Sequence, residues 1–360
     1  MKRALNFNAG PAAMPAEVLQ KAEKHWLNIA DTGMAVMELS HRSKEYEQIH
    51  ENAIQGLRKL LSIPSDYEVL FIQGGASLQF SMIPMNFLHE NTSGNYVLTG
   101  SWSEKALKEA QKIGSTAPIA STKENSYRSI PQLSDINTTE NAAYLHITSN
   151  NTIYGTQWHT YPTQLHIPLI ADMSSDILSK QIDINQFGMI YAGAQKNLGP
   201  SGVTVVIIHK DLISQDNDHL PTMLQYKTYA NNSSLYNTPP TLAIYLLSLV
   251  LEWAEEKGGL QAIEKMNENK AKYLYDAIDE SDGFYLGHAE KSRRSMMNVT
   301  FNLADKEKEA LFLQSASDAG FIGLNGHRSI GGCRASIYNA VPEDHVYKLA
   351  QFMKSFKRNS

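Results

Sequence analysis

The sequence has a single cysteine, Cys333, among 360 residues, so no disulfide can form within the chain and no cysteine-rich metal cluster can be built. A reducing compartment is the expected setting. Long apolar runs are also lacking. The most apolar stretch, residues 242–251, is far too short to span a membrane and gives way to Glu252, Glu255 and Glu256, so it reads as a buried helix. The first residues, Met1-Lys2-Arg3-Ala4-Leu5-Asn6, turn polar before an apolar signal core could develop, and a cytoplasmic protein is expected. A strong charge of either sign is missing too. A formal net charge of −5 gives no global pull toward nucleic acid or an anionic membrane, so any anion must be held by a few placed basic groups. None of the 12 histidines falls in an HxxxH-type spacing, and no metal site is expected.

What is present is a hydrophobic fraction of 42% spread along the whole length, too much chain for one compact core. Helical periodicity covers residues 16–28 and 44–61, the second stopped by Pro64. Short apolar runs at 68–72, 95–99, 143–147, 167–171, 189–192 and 203–209 then alternate with helical stretches. One of those stretches opens on Gly74-Gly75-Ala76-Ser77 and another covers 104–113. Such alternation predicts an α/β fold with a mostly parallel sheet covered on both faces. Two long helices follow Thr241 and end near Ile278; beyond them a strand at 297–302 and a helix at 306–319 form a smaller α/β lobe. The expected division is a large domain over 15–258 and a small domain built from 1–14 and 259–360.

In an open parallel sheet, ligands collect beyond the carboxyl ends of the strands. Several chemically able residues fall there, and each has two readings. Lys196 lies between two apolar runs, either as an amine desolvated for imine chemistry or as a loop-tip lysine reaching solvent. Gly74-Gly75-Ala76-Ser77 is either an anion cradle at a helix start or a tight turn with a serine cap. Trp102, just past a strand and before a capping Ser103, is a core aromatic or a stacking plate for a planar ring. Asp172 could cap the Ser174-Ser175 turn, or pair with a cationic ring nitrogen. The basic pairs His41-Arg42 and His327-Arg328, with Arg334 after Gly331-Gly332-Cys333, would suit a carboxylate or phosphate if they met in one site.

Taken together, these motifs carry a family resemblance. The chain resembles the phosphoserine aminotransferases, fold-type-I pyridoxal-phosphate enzymes, over essentially its full length. The matching stretches run in order: Asn6-Phe7-Asn8-Ala9-Gly10-Pro11, Met37 to Arg42, Gln73 to Ser77, Ala171 to Ser175, Tyr191 to Asn197, Tyr236 to Thr241, and Gly326-His327-Arg328 through Arg334 to Asn339. The resemblance implies a large domain with a mostly parallel seven-stranded sheet and a smaller C-terminal α/β domain. It implies that Lys196 carries pyridoxal 5′-phosphate as a Schiff base, that Asp172 pairs with the pyridine nitrogen, and that Trp102 stacks on the ring. Thr152 would bond the phenolic oxygen, and Ala76, Ser77 and Gln195 the phosphate. Asn237 and Thr238 would reach that phosphate from the second subunit of a homodimer, while His41, Arg42, His327, Arg328 and Arg334 would bind substrate anions. The implied reaction is transamination between L-glutamate and 3-phosphohydroxypyruvate, with 4-phosphohydroxy-L-threonine a further candidate product. Some family members have serine where this chain has Ala9, so a hydroxyl contact is lost there. A cysteine desulfurase of the same fold would need its thiol on a mobile loop, whereas Cys333 lies in a turn entering a strand. Alanine–glyoxylate-type enzymes give no reason for the His327-Arg328 pair. A non-catalytic cofactor-binding regulator would need a basic helix-turn-helix, and none is evident.

Overall fold

The computed structural model describes residues 3–163, 165–214 and 219–359; Met1 and Lys2, part of the polar start of the chain, lie outside the described residues. Two helices open the chain, α1 (Ala16–Lys24) and α2 (Lys44–Leu61). The bounds of α2 match its periodicity because both ends are capped: Ser43 accepts from the Tyr46 N–H at 3.3 Å, and Ser62 turns left-handed at φ 52° ahead of Pro64. Helix α1 ends four residues earlier than its apolar spacing suggests, because Asn28 is drawn into a turn and accepts the Gly33 N–H at 2.7 Å.

Then come the strands and helices of the central layer: β1 (Tyr67–Ile72), α3 (Gly75–Phe87), β2 (Ser93–Leu98), α4 (Ser101–Ala110), β3 (Thr116–Ser121), β4 (Ala142–Thr148), β5 (Leu169–Asp172), β6 (Met189–Gly193) and β7 (Thr204–His209). They form one seven-stranded sheet in the order β1-β7-β6-β5-β4-β2-β3, in which only β7 runs against its neighbours. Strand β3 was not foreseen from the sequence. It is an edge strand of small residues around Pro118, without an apolar alternation to announce it.

Both faces of the sheet are buried, and the period of two sorts them. Val69, Phe71, Leu145, Ile147, Ile190, Val205 and Ile207 face α2 and the long helix α5 (Thr241–Glu256). Their neighbours Leu70, Ile72, Tyr144, Ile170, Tyr191 and Val206 face α3 and α4. A central sheet covered twice reads as near-continuous apolar runs, which is how these strands are legible. Helix α6 (Gly259–Asp279) follows, its Leu260 and Ile263 packing on the first core and its Ala271, Leu274 and Ala277 on a second. That second core lies under the antiparallel strands β8 (Tyr285–Gly287), β9 (Asn298–Leu303) and β10 (Cys333–Ser336), with α7 (Lys306–Asp318) and α8 (Glu343–Asn359). Phe7 joins it from the N-terminal segment, where Leu5 pairs with Phe321. Among the described residues no helix is long and apolar enough to cross a membrane.

Candidate active site

Six strands pointing the same way bring their carboxyl ends to one edge, and a cleft opens there. It is lined by Gly75, Ala76 and Ser77 after β1, Trp102 after β2, Asp172 at the end of β5, and Gln195 and Lys196 after β6, together with Phe80, Thr148, Asn150, Ser174 and Ser175. Sequence reasoning had not singled out Phe80, Thr148 or Asn150. Thr148 is the last residue of β4 and Asn150 lies just past it, so position at a strand end was the available signal.

Lys196 is partly buried, and its Nζ donates to Thr152 Oγ1 at 2.7 Å. Its pKa is lowered to about 8, chiefly by burial, with the Asp172 carboxylate opposing and the nearby Arg334 charge adding to the fall. The N-terminal segment closes over the lysine stem. Ala12 N–H donates to the Gln195 carbonyl at 2.9 Å, and a Cβ on Gly10 would come within 3.3 Å of Lys196 Cγ. Glycine is needed at that position for close approach. The loop-tip reading of Lys196 therefore fails: the amine faces a hydroxyl inside the cleft, beneath a covering segment.

Asp172 takes the first of the two roles its position allows, fixing the turn that follows it. Its Oδ1 accepts the Ser174 N–H at 2.9 Å and the Ser174 hydroxyl at 2.6 Å, which fixes the turn. Burial raises its pKa, against the opposing Lys196 charge and the Ser174 bonds, so a nearby cation would favour its ionised form. Trp102 lies within α4 rather than before a cap. Ser103 accepts the N–H groups of Thr99 and Gly100 at 3.0 and 3.1 Å from inside the helix, and Gly100 is the capping residue. The Trp102 indole lies 5.7 Å from Lys196 Nζ, with the ammonium of Lys105 at 4.2 Å from the ring centroid. Lys105 is one helical turn beyond Trp102, a spacing that sequence reasoning passed over.

The glycine-rich turn also resolves. Gly74, at φ 96°, is the cap of α3, and no side chain bonds the first N–H groups of the helix. A serine cap would have consumed one of them; here those of Gly75, Ala76 and Ser77 are left for an anion.

Of the basic groups, Arg334 reaches the cleft: its Nη1 donates to the Thr152 carbonyl at 3.3 Å, and its Nε has no protein partner. Burial lowers its pKa. The pKa of His327 is lowered by burial and by Arg334, Arg328 and Lys105, which places those three cations within electrostatic reach of the imidazole. Arg328 is exposed. His41, Arg42, Asn237 and Thr238 do not line this cleft. Thr238 Oγ1 lies 3.3 Å from His41 Nδ1 and its carbonyl accepts from Gln73 at 3.3 Å, so they gather beside the segment leading into Gly74. Arg42, Asn237 and Thr238 are exposed there, and His41 Nε2 is buried without a partner. Ala9 has its carbonyl bonded by Tyr338 Oη at 2.8 Å. Cys333 is fully buried on β10 and burial pushes its thiol well up, so it cannot act as an exposed sulfur carrier.

These residues suit pyridoxal phosphate on three counts: open N–H groups at a helix start, an indole beside an amine of depressed pKa, and a buried carboxyl. The comparisons agree with that fit. The Aminotransferase class-V family matches residues 4–349. A phosphoserine aminotransferase of Alkalihalobacillus alcalophilus is 63% identical over 360 residues, covering 100% of both chains. Among solved structures, one describing radiation damage of the Schiff base in phosphoserine aminotransferase superposes with a TM-score of 0.98 at 63% identity, covering 100% of both chains. The pyridoxal-phosphate-bound phosphoserine aminotransferase from Trichomonas vaginalis gives 0.93 at 38% identity, over 98% of this chain and 100% of that one. The chain belongs to the class-V aminotransferases, in the phosphoserine aminotransferase family, and its cofactor is pyridoxal phosphate.

Proposed function

We infer that the chain transfers the amino group of L-glutamate to 3-phosphohydroxypyruvate, giving 2-oxoglutarate and O-phospho-L-serine. The observation that carries this is the Lys196 amine, lowered to about 8 and held by Thr152 in the cleft of a chain 63% identical to a phosphoserine aminotransferase. Bound pyridoxal phosphate supplies an electron sink for the carbanion formed when the substrate Cα–H is removed. The protein's own groups do the rest. Lys196 holds the cofactor and, once displaced by substrate, takes the proton from Cα and returns it on the other side of the reaction. That double use requires an amine that gives up its proton readily near neutral pH, which burial and Arg334 favour. Asp172 keeps the ring nitrogen protonated, and Trp102 covers the ring. Gln195 joins Ala76 and Ser77 at the cofactor phosphate.

Arg334, with an unpaired Nε at the cleft, is the group to fork onto the substrate α-carboxylate. His327 and Arg328 at the mouth accept the distal γ-carboxylate or phosphate. His41, Arg42, Asn237 and Thr238 gather at the outer side of the cradle segment, so we assign them to the site of a second copy in a homodimer. A single cysteine, buried as a free thiol, supports placing such an enzyme in the reducing cytoplasm.

The deciding experiment is Lys196→Ala. It should remove the visible absorbance of lysine-bound cofactor and reduce turnover by at least ~10³-fold, the scale of losing both a nucleophile and a proton carrier. Normal turnover in that variant would end this reading. Assaying 3-phosphohydroxypyruvate beside the four-carbon homologue that gives 4-phosphohydroxy-L-threonine sets the breadth of the keto-acid pocket.

A further inference from the structure

Asp172 does not stand alone at the end of β5. It is the register partner of Tyr191 on β6, so the two side chains leave the same face of the sheet, the one covered by α3 and α4. Tyr191 is fully buried there, with the ring of Phe80 from the cleft wall edge-on at 6.4 Å. Its hydroxyl lies 2.8 Å from Nε2 of His146 on β4, a buried imidazole stacked at 5.0 Å on Tyr96. A polar row thus runs from Asp172 into the core, and neither Tyr191 nor His146 has a role in the reaction as described.

The charge states in this row follow from the surroundings. Burial raises the Asp172 pKa, while the Lys196 charge and hydrogen bonds from Ser174 and the Tyr191 hydroxyl oppose it. Burial, and then the Asp172 carboxylate, push the Tyr191 phenol well up, so it keeps its proton. Burial pushes the His146 imidazole down to about 3, so it is neutral and carries one N–H.

Where that N–H sits decides what Tyr191 can do. His146 Nδ1 is buried and has no protein partner in either tautomer. With the proton on Nδ1, a buried N–H is left without an acceptor, and Nε2 takes the only proton Tyr191 has to give. The phenol oxygen would then turn lone pairs toward a carboxylate. With the proton on Nε2, His146 donates to the Tyr191 oxygen and frees the phenol proton for Asp172. The second arrangement runs all donors one way, and a bare acceptor is better tolerated in a protein interior than an orphaned N–H.

We propose that Tyr191 is a positioning residue for the reaction: oriented by an N–H from His146, its hydroxyl donates to Asp172 and holds that carboxyl as an anion. The proton shared between Asp172 and the cofactor ring nitrogen then stays on the ring. This rests on Asp172 facing the cofactor, as proposed above. Removing the donor makes Asp172 the better proton acceptor and the ring a poorer electron sink.

Tyr191→Phe takes away one oxygen and keeps the ring against Phe80. In enzyme loaded with pyridoxal phosphate isotope-labelled at the ring nitrogen, the nitrogen NMR resonance at neutral pH should move in this variant toward that of an unprotonated pyridine. Its kcat should fall roughly tenfold with little change in KM for glutamate, the weight of one hydrogen bond to a charged group. Nitrogen NMR of labelled histidine in the wild-type enzyme should find the His146 proton on Nε2. An unmoved ring nitrogen in Tyr191→Phe overturns the proposal, whether or not kcat falls, and so does a His146 proton on Nδ1. The histidine measurement needs no variant, so it decides even where Tyr191→Phe folds poorly. Wild-type enzyme whose ring nitrogen is already unprotonated would instead refute the pairing of Asp172 with the cofactor, the reading beneath the proposal.

Discussion

Lys196 owes its reactivity to burial and to neighbouring charges that pull in known directions. Burial and Arg334 lower its pKa, Asp172 raises it, and the outcome is about 8. Capture of pyridoxal phosphate by cofactor-free protein needs the neutral amine, so its rate should climb with pH and level off above about 8, where an ordinary lysine would still be rising toward ~10.4. Replacing Arg334 with Met removes a repelling cation and should move that profile to higher pH. Asp172→Asn removes the attracting carboxylate and should move it lower. Stopped-flow absorbance over pH 6–10 reads both shifts; opposite signs would mean that these charges do not face the amine. The sequence alone could place Lys196 at a strand end but could not tell a desolvated amine from a solvated one. That distinction depends on Gly10, Thr152 and Arg334, which lie 186, 44 and 138 positions away. The rarity of buried lysine would not have singled it out either, since Lys270 is more deeply buried and takes no part in the chemistry.

Lys270 instead ties one element to another. From the middle of α6 its ammonium donates to the carbonyls of Ile337, Tyr338 and Val341 at 2.9, 2.7 and 3.3 Å. The same segment supplies Asn339, whose N–H donates to Asn197 Oδ1 at 2.9 Å, next to Lys196, and whose own Oδ1 accepts from Asn267 on α6 at 2.8 Å. Lys270→Met keeps the volume but strands three buried carbonyls, for a loss of roughly 2–4 kcal/mol. Burial depresses the Lys270 pKa from 10.5 to about 7. The unfolded chain therefore binds more protons than the folded one between those values, and this residue's contribution to stability rises with pH across that window. The thermal midpoint gap between wild type and Lys270→Met should widen from pH 7 to pH 9; a constant gap would show that Lys270 does not titrate on unfolding. This is the kind of element-level contact that periodicity misses. Helices and buried strands were legible because 3.6 and near-continuous apolar patterns are local, whereas the edge strand β3 and the cap at Gly74 were not. The first is stabilised by its neighbour β2, and the second by a backbone angle.

At the scale of the molecule, the position of the basic groups argues for more than one chain per site. Within one chain Lys196, Asp172, Trp102 and Arg334 converge, while His41, Arg42, Asn237 and Thr238 collect apart from the cleft with Arg42, Asn237 and Thr238 exposed. Exposed residues so placed can complete the site of a second copy related by a two-fold axis, each copy serving the other. Subunit mixing tests this without any structure of the complex. Lys196→Ala and Arg42→Ala should each be severely impaired as pure proteins, the first through loss of the amine and the second through loss of substrate anion binding. If Arg42 acts across the interface, equal amounts dissociated and reassembled give hybrids in which one site carries both defects and the other none. Half of the dimers are then hybrids with one intact site in two, so activity should recover to roughly a quarter of wild type. If Arg42 serves the cleft of its own chain, every hybrid site carries one defect, and mixing recovers nothing. The contrast needs only an activity assay and a check that exchange has occurred. It separates a residue that belongs to the fold of its own chain from one that belongs to its neighbour's chemistry.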